Sequence, residues 1–329
     1  MKKILALIVL SVVMVSCYED YLVDYPITSI YFPLQQNVRT FIVGEGMKIE
    51  VGASLGGIRQ NDKDRNVSFV LDPALVTPER LTALKTSSWT YIKDATAAVT
   101  TLKQLPVNFY AMTPSTTTMV IKSGWHGGTV VIKADSTNFL NDSVNTKIST
   151  YVLPFKITAA DADTVLASKS TAVIGVKFEN MLYGNYWHGG AALINRPSKS
   201  DTTIYYKTTV PVAENLIWNL TTEGPSTLSC NGYYKNVVTA TRQFRLVKKG
   251  TKLFLSPLAG ASQVITQDGE CTYNDAKLLQ NRKIILKYKY TEAAAPFYTY
   301  HCTDTLTFRN RMHDGINEWQ DGDPSHYTK

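Results

Sequence analysis

Along most of this chain, apolar side chains alternate with polar ones or gather in short runs broken by Gly, Pro, Asn and Asp. That spacing, rich in β-branched and aromatic residues, predicts strands rather than helices. Ser29–Phe32, Met47–Val51, Val67–Leu71, Thr118–Ile121 and Gly128–Ile132 are clear cases. Strand starts recur about every ten residues, which argues for a sandwich or a barrel. Only Pro78–Lys85 and Asp275–Asn281 carry a helical pattern, and both are short. A boundary fits near Glu179. Before it, Tyr151–Ile157 and Thr171–Phe178 read as the closing strands of a sandwich. After it, a run of about seven strands, from Tyr183–Trp187 to Thr303–Phe308, reads as an up-and-down antiparallel meander. The expected fold is all-β: a sandwich over 27–178, then a barrel over 179–329.

The first residues do not fit either module. Two lysines, Lys2 and Lys3, precede an apolar run from Ile4 to Val15. A membrane-spanning helix needs about 20 apolar residues, so this run is too short to cross a bilayer. It has the length of a signal-peptide core, and residues 1–16 are read as one. The run ends in Met14-Val15-Ser16-Cys17, which resembles the lipobox cut by signal peptidase II, with Met14 where Leu is commoner. That resemblance implies acylation of Cys17 and a membrane anchor, since several acyl chains hold a protein firmly at a surface. An ordinary signal peptide cut near Ser16 is the alternative. Glu19 and Asp20, in the tether 17–26, resemble the acidic export signal that sends Bacteroidetes lipoproteins to the outer face of the outer membrane. They would also serve as a plain solvated tether.

Charge and cysteine content narrow the chemistry. Loss of Lys2 and Lys3 lowers the formal charge from +7 to +5, and the basic residues are scattered. Nucleic-acid binders concentrate charge on one face beside a recognisable motif, so no nucleic-acid partner is expected. Apart from Cys17, the cysteines are Cys230, Cys271 and Cys302; three thiols cannot all pair, and none has metal-site or redox spacing. His126, His188, His301, His313 and His326 form no close metal pair, and no nucleophile elbow or phosphate loop is present. Glu318 with Asp321 and Asp323 is the densest acidic cluster and reads as a solvated loop. No catalytic residues, metal or cofactor are expected.

Several stretches together resemble a known architecture. Ile30-Tyr31-Phe32-Pro33-Leu34-Gln35, Asp64-Arg65-Asn66-Val67-Ser68-Phe69 and Tyr151-Val152-Leu153-Pro154 resemble an Ig-like Bacteroidetes domain. Domains of that type open surface glycan-binding lipoproteins and precede family-18 endo-glucosaminidases. Gly184-Asn185-Tyr186-Trp187-His188-Gly189-Gly190, the stretch from Ala276-Lys277-Leu278-Leu279 to Lys289-Tyr290, Thr303–Asn310 and Gly315–Asp321 resemble a lipocalin- or calycin-like β-barrel. The family-18 acidic motif is absent. The resemblance implies a non-catalytic lipoprotein of a polysaccharide utilisation system. Its ligand would be an oligosaccharide, with an N-glycan mildly favoured, and its partner a SusC/SusD-like outer-membrane transporter. A structural or adhesin-type lipoprotein that binds protein is the competing reading.

Aromatic residues supply the candidate site. Sugars present apolar C–H faces, and flat rings can stack on them; yet aromatics are also the main filling of β cores. Alternation places Trp218 with Leu216 and Leu220, as core. Trp125 falls in a Gly-flanked turn and is expected to be exposed. Tyr233 and Tyr234 follow Asn231-Gly232, another turn signal. With Trp187, these form the expected platforms, the barrel loops giving the main site and Trp125 a contribution from the first module. The tetrapeptide Trp-His-Gly-Gly occurs at both 125–128 and 187–190, from similar strand entries, chance or a duplicated ligand loop.

Overall fold

The computed structural model describes residues 25–115, 117–206, 216–230, 232, 244–261 and 264–321. Two face-to-face sheets make the first module. One sheet contains β1 (Ser29–Tyr31), β3 (Lys48–Gly56), β6 (Tyr110–Thr113), β8 (Gly127–Ala134) and β10 (Thr164–Val165), in the order β10-β1-β3-β8-β6. The other runs β2-β11-β9-β4-β7, from β2 (Gln36–Val43), β4 (Arg65–Leu71), β7 (Thr118–Ile121), β9 (Tyr151–Ala160) and β11 (Thr171–Asn180). The short β5 (Lys103–Gln104) adds to β9. Alternation decides the faces: Ile49, Val51, Ala53 and Leu55 of β3 point inward, and Lys48 and Glu50 outward. The inward set meets Phe41, Phe69, Phe155 and Ile174 of the facing sheet.

Pro78–Lys85 forms the expected helix, α1. Thr77 caps it, its Oγ1 accepting from the Arg80 amide at 3.4 Å, with Pro78 in the first turn. With α2 (Thr90–Thr96) it covers the outer side of the second sheet, burying Leu84 and Ile92 against Val38, Val152 and Val173. Two short helices, α3 (Ser136–Asn141) and α4 (Ser143–Thr146), precede β9. The sequence pattern missed α2 to α4, which are too brief to show a helical period. The expected helix over 275–281 is instead a single 3-10 turn at Leu279–Asn281. Asp275 adopts a positive φ of 48°, and the Asn274 side chain accepts from the Lys283 amide. Such local side-chain bonds compete with helix formation.

The second module is a closed antiparallel barrel of eight strand positions. Its strands are β12 (Gly184–Asn195), β14 (Leu216–Gly224), β15 (Thr227–Cys230), β16 (Phe244–Lys249), β17 (Lys252–Pro257), β19 (Cys271–Tyr273), β20 (Lys283–Thr291) and β21 (Thr299–His313). Each pairs with the next in this order, and β12 closes on β21 from Asn185 to Asn195. β13 (Thr202–Tyr206) lies on the edge of β12 that β14 uses, opposite Gly190–Ile194, while β14 lies opposite Gly184–His188. β18 (Thr266–Gln267) likewise adds to β20 beside β19. Strand β20 shows the pattern in its purest form: Ile284, Leu286, Tyr288 and Tyr290 are buried, and Lys283, Lys287 and Lys289 exposed. Cys230, Cys271 and Cys302 are all buried in this core.

Charged groups lock the two modules together. Glu45, in the turn between β2 and β3, accepts from both terminal nitrogens of Arg311 at 2.8 Å and pairs with Arg282 at 2.7 Å. The hairpin between β21 and β22 (Ile316–Glu318) reaches back to the sandwich. There Asp314 pairs with Arg39 at 3.5 Å, and His313 Nε2 lies 3.3 Å from the Thr40 carbonyl oxygen. Glu318 is therefore not a loosely solvated tail residue. It accepts from Arg311 at 2.6 Å and lies 2.8 Å from His313 Nδ1.

Candidate functional site

Three neighbouring strands, β14, β12 and β21, present one outward strip. Register puts Trp187 opposite Ile217 on one side and Thr307 on the other, and Asn185 opposite Asn219 and Asn310. Because Tyr186 and His188 point inward, Asn185 and Trp187 must point outward. A ladder of side-chain amides crosses the strip. Asn219 Nδ2 donates to Asn185 Oδ1 at 3.1 Å, and Asn185 Nδ2 donates to Asn310 Oδ1 at 3.3 Å. Asn310 in turn donates to Asn317 Oδ1 at 2.7 Å. Thr221 joins one end through a 2.8 Å bond to Asn219, and Arg309 donates to Asn310 at 2.9 Å. The Arg309 guanidinium also lies 4.9 Å from the centre of the Trp187 ring, so it takes one face of a half-buried indole. An amide offers two donors and two acceptor lone pairs, so the ladder leaves capacity for an external ligand.

Behind this wall lies a buried polar cluster. Asp304 is fully buried and collects three donors. His188 Nε2 is 2.7 Å away, the Tyr288 hydroxyl donates at 2.6 Å, and the Tyr206 hydroxyl also donates to it. The His188 ring is stacked on Trp218 at 4.0 Å and on Tyr206 at 5.1 Å. Two glycines make this packing fit. A Cβ on Gly190 would lie 2.4 Å from the Thr303 carbonyl oxygen, and one on Gly232 would lie 2.6 Å from the Trp218 ring. Burial, joined by the Asp304 carboxylate, pushes the Tyr288 phenol well above its ordinary range. Burial raises the Cys230 thiol as well, so it stays protonated and a poor nucleophile. The cluster organises the barrel interior; it presents no activated nucleophile.

The sequence-predicted residues end up apart. Trp187 sits on the barrel wall. Trp125 lies in the turn before β8 and is 69% exposed, as its turn context predicts. Tyr233, Tyr234 and Cys17 lie outside the described residues, although the strand ends Cys230 and Phe244 that flank the two tyrosines pair with each other. Trp218 is core, as alternation predicts. The two Trp-His-Gly-Gly segments are not equivalent. The first is an exposed turn and strand start; the second lies within β12, with its histidine inside the barrel. Sequence reading did not single out the amide ladder, Asp304 or Glu45. The recurrence of Asn at 185, 219 and 310 was visible, but nothing before folding says that these positions are neighbours. Among the described residues, no group of His, Cys, Asp and Glu is arranged to hold a metal ion.

Sandwich followed by closed barrel defines an all-β, two-module protein. Residues 24–164, less than half of the chain, match a protein family described as a "-like, N-terminal domain". The fold is shared with a structural-genomics protein of unknown function from Bacteroides ovatus: 16% identity, 91% of this chain and 99% of that one covered, TM-score 0.61. A multidomain protein including DUF1735, also from Bacteroides ovatus, matches at 12% identity over 89% of this chain and 99% of that one, with a TM-score of 0.40. A two-domain protein of unknown function from Bacteroides fragilis matches at 9% identity over 88% and 90%, with a TM-score of 0.30. No curated protein sequence matches the chain.

Proposed function

We propose that this chain is a non-catalytic, cell-surface glycan-binding lipoprotein that captures oligosaccharide for a SusC/SusD-like outer-membrane importer. The observation that carries this reading is the strip on the barrel wall, where Trp187 and Arg309 border a ladder of side-chain amides. A sugar needs an apolar surface for its C–H face and many in-plane hydrogen-bond partners for its hydroxyls. The strip offers both on rigid strands, which limits the entropy lost on binding. In this reading the sandwich is Ig-like and acts as a spacer above the tether, and the barrel is calycin-like and holds the ligand. An N-glycan is the favoured ligand class, following the endo-glucosaminidase resemblance.

Trp187→Ala is expected to weaken glycan binding by roughly 1–3 kcal/mol, by analogy with aromatic stacking on bases. Its melting temperature should stay close to that of the parent, because the ring points outward. Glycan arrays and affinity gels with the parent and the variant test this. Parent protein that is retained by no glycan in a broad panel would sink the proposal.

Anchoring rests on Cys17. Cys17→Ala is expected to release the protein in soluble form or to leave an unprocessed precursor, without disturbing either module. A variant that still fractionates as a mature outer-membrane protein would refute the anchor. The exposed Trp89 and Trp319 favour the second reading, an adhesin-type lipoprotein that meets protein. Sugar-dependent quenching of tryptophan fluorescence is expected only of the first.

A further inference from the structure

A second cavity opens in the sandwich, away from the barrel wall. Strand β1 pairs with β3 only from Ser54 to Gly56, so among the described residues the edge of β3 at 50–53 has no partner on that side. The chain leaves β1 there and crosses to β2 in the other sheet. The gap is a groove of about 280 Å³, bordered by Asn37, Arg39, Glu50, Gly52, Ser54 and Gly127. That volume is near the lower end of small-molecule sites, which begin at about 300 Å³, and suits one ring rather than a polymer.

Asn37 shows that the groove is more than a packing gap. It is only 3% exposed. Its Oδ1 is committed twice, accepting from the Val38 amide at 2.8 Å and from the Tyr91 hydroxyl at 2.5 Å. That fixes the orientation of the amide, and among the described residues nothing accepts from its Nδ2. That donor is not sealed from solvent, so a ligand acceptor in the groove could take it up. Around it stand a guanidinium (Arg39), a carboxylate (Glu50) and a hydroxyl (Ser54), with Gly52 and Gly127 leaving the floor open. Charges of both signs are present without an excess of either, which does not favour an anion or a cation. Donors and acceptors around a shallow floor suit a neutral ring carrying several hydroxyls.

We propose that this groove is a second subsite, in the sandwich, for a single neutral sugar ring. The proposal rests on the glycan-binding reading for its ligand class, but not on the barrel strip. Gly127 provides the test. It is exposed, its φ lies outside the left-handed region, and a Cβ there would meet nothing closer than the Ala53 carbonyl oxygen at 4.0 Å. A bulky residue at this strand position therefore adds a side chain at the border of the groove without straining the backbone, and Phe is a good strand former.

The intact two-domain chain, isotope-labelled, is titrated with mannose, galactose and N-acetylglucosamine and followed by NMR. At least one sugar should shift the amide signals of Gly52 and Gly127 and the Asn37 side-chain amide. Gly127→Phe should weaken that response about ten-fold or more by crowding the border of the groove, with an unchanged melting temperature, while Gly127→Ala keeps most of it. A response at the Trp187 indole with none at the groove overturns the subsite and leaves the barrel reading intact. A groove response without one at Trp187 does the reverse, and silence at both removes both. A groove response that survives in a folded Gly127→Phe also overturns the subsite.

Discussion

Glu45→Ala is expected to destabilise the protein by about 3–5 kcal/mol and to split one cooperative melting transition into two, as removal of one partner from a buried ion cluster does. Glu45 belongs to the sandwich, whereas Arg282 and Arg311 belong to the barrel, and both guanidinium groups are almost fully buried. Arg282 otherwise donates to the carbonyl oxygens of Met181, Ala276 and Lys277, and Arg311 to Glu318. Without Glu45, two buried cations would face each other with too little negative charge between them. Burial alone would raise the Glu45 carboxyl, but Arg311 and Arg282 outweigh it and hold its pKa below the ordinary 4.5. Its contribution is therefore present above about pH 4.5 and lost as pH falls through the lowered value. Burial likewise opposes ionisation of Glu318, yet His313 and Arg311 bring it down to about 2. His313 works in the opposite direction: despite burial, Glu318 and Asp314 raise it above its ordinary 6.5. Its share is full below about pH 6.5 and fades as pH rises through the raised value. Calorimetry from pH 3 to 9, about the range in which these groups matter, should show the parent's single transition most secure in mildly acidic buffer. A Glu45→Ala protein that melts as one unit, within about 1 kcal/mol of the parent, would show that the cluster is not what joins the modules.

A loss of similar size, about 3–5 kcal/mol, is expected for Asp304→Ala. Asp304 is the shared partner of His188, Tyr206 and Tyr288, and removing it takes away the acceptor on which all three converge in the barrel interior. His188, which makes one of these bonds, also stacks on Trp218, so the change should alter the tryptophan fluorescence of the folded state. Asp304→Asn keeps the shape and one carbonyl acceptor, and should cost less. Urea unfolding of the parent and both variants measures the order. Equal stability of Asp304→Ala and parent would mean that the cluster contributes little, and the barrel core would then rest on its apolar contacts alone.

The contrast between these two clusters and the strands around them shows what could be read before folding. The two-residue period of Lys283–Tyr290 needs only local chemistry, and β20 has the inward and outward faces that its sequence predicts. The same holds for β3, for α1 with its Thr77 cap and Pro78, and for the all-β character of the chain. Trp125 was legible because its turn is local. By contrast, His188 and Asp304 are 116 residues apart, and Glu45 and Arg311 are 266 apart. Neither pairing has a signature within a window of sequence. Asn185, Asn219 and Asn310 form a ladder only because the barrel closes β12 on β21 and aligns β14 beside it. The helix expected over 275–281 failed for the same kind of reason: a favourable local pattern gave way to the bonds that Asn274 makes across to Lys283 and Asn281. The sequence by itself determined the periodic elements and their faces, because those follow from interactions over a few residues. Tertiary structure alone decided the barrel closure, the buried charge clusters, the amide strip and the sandwich groove, because each depends on register between strands far apart in the chain.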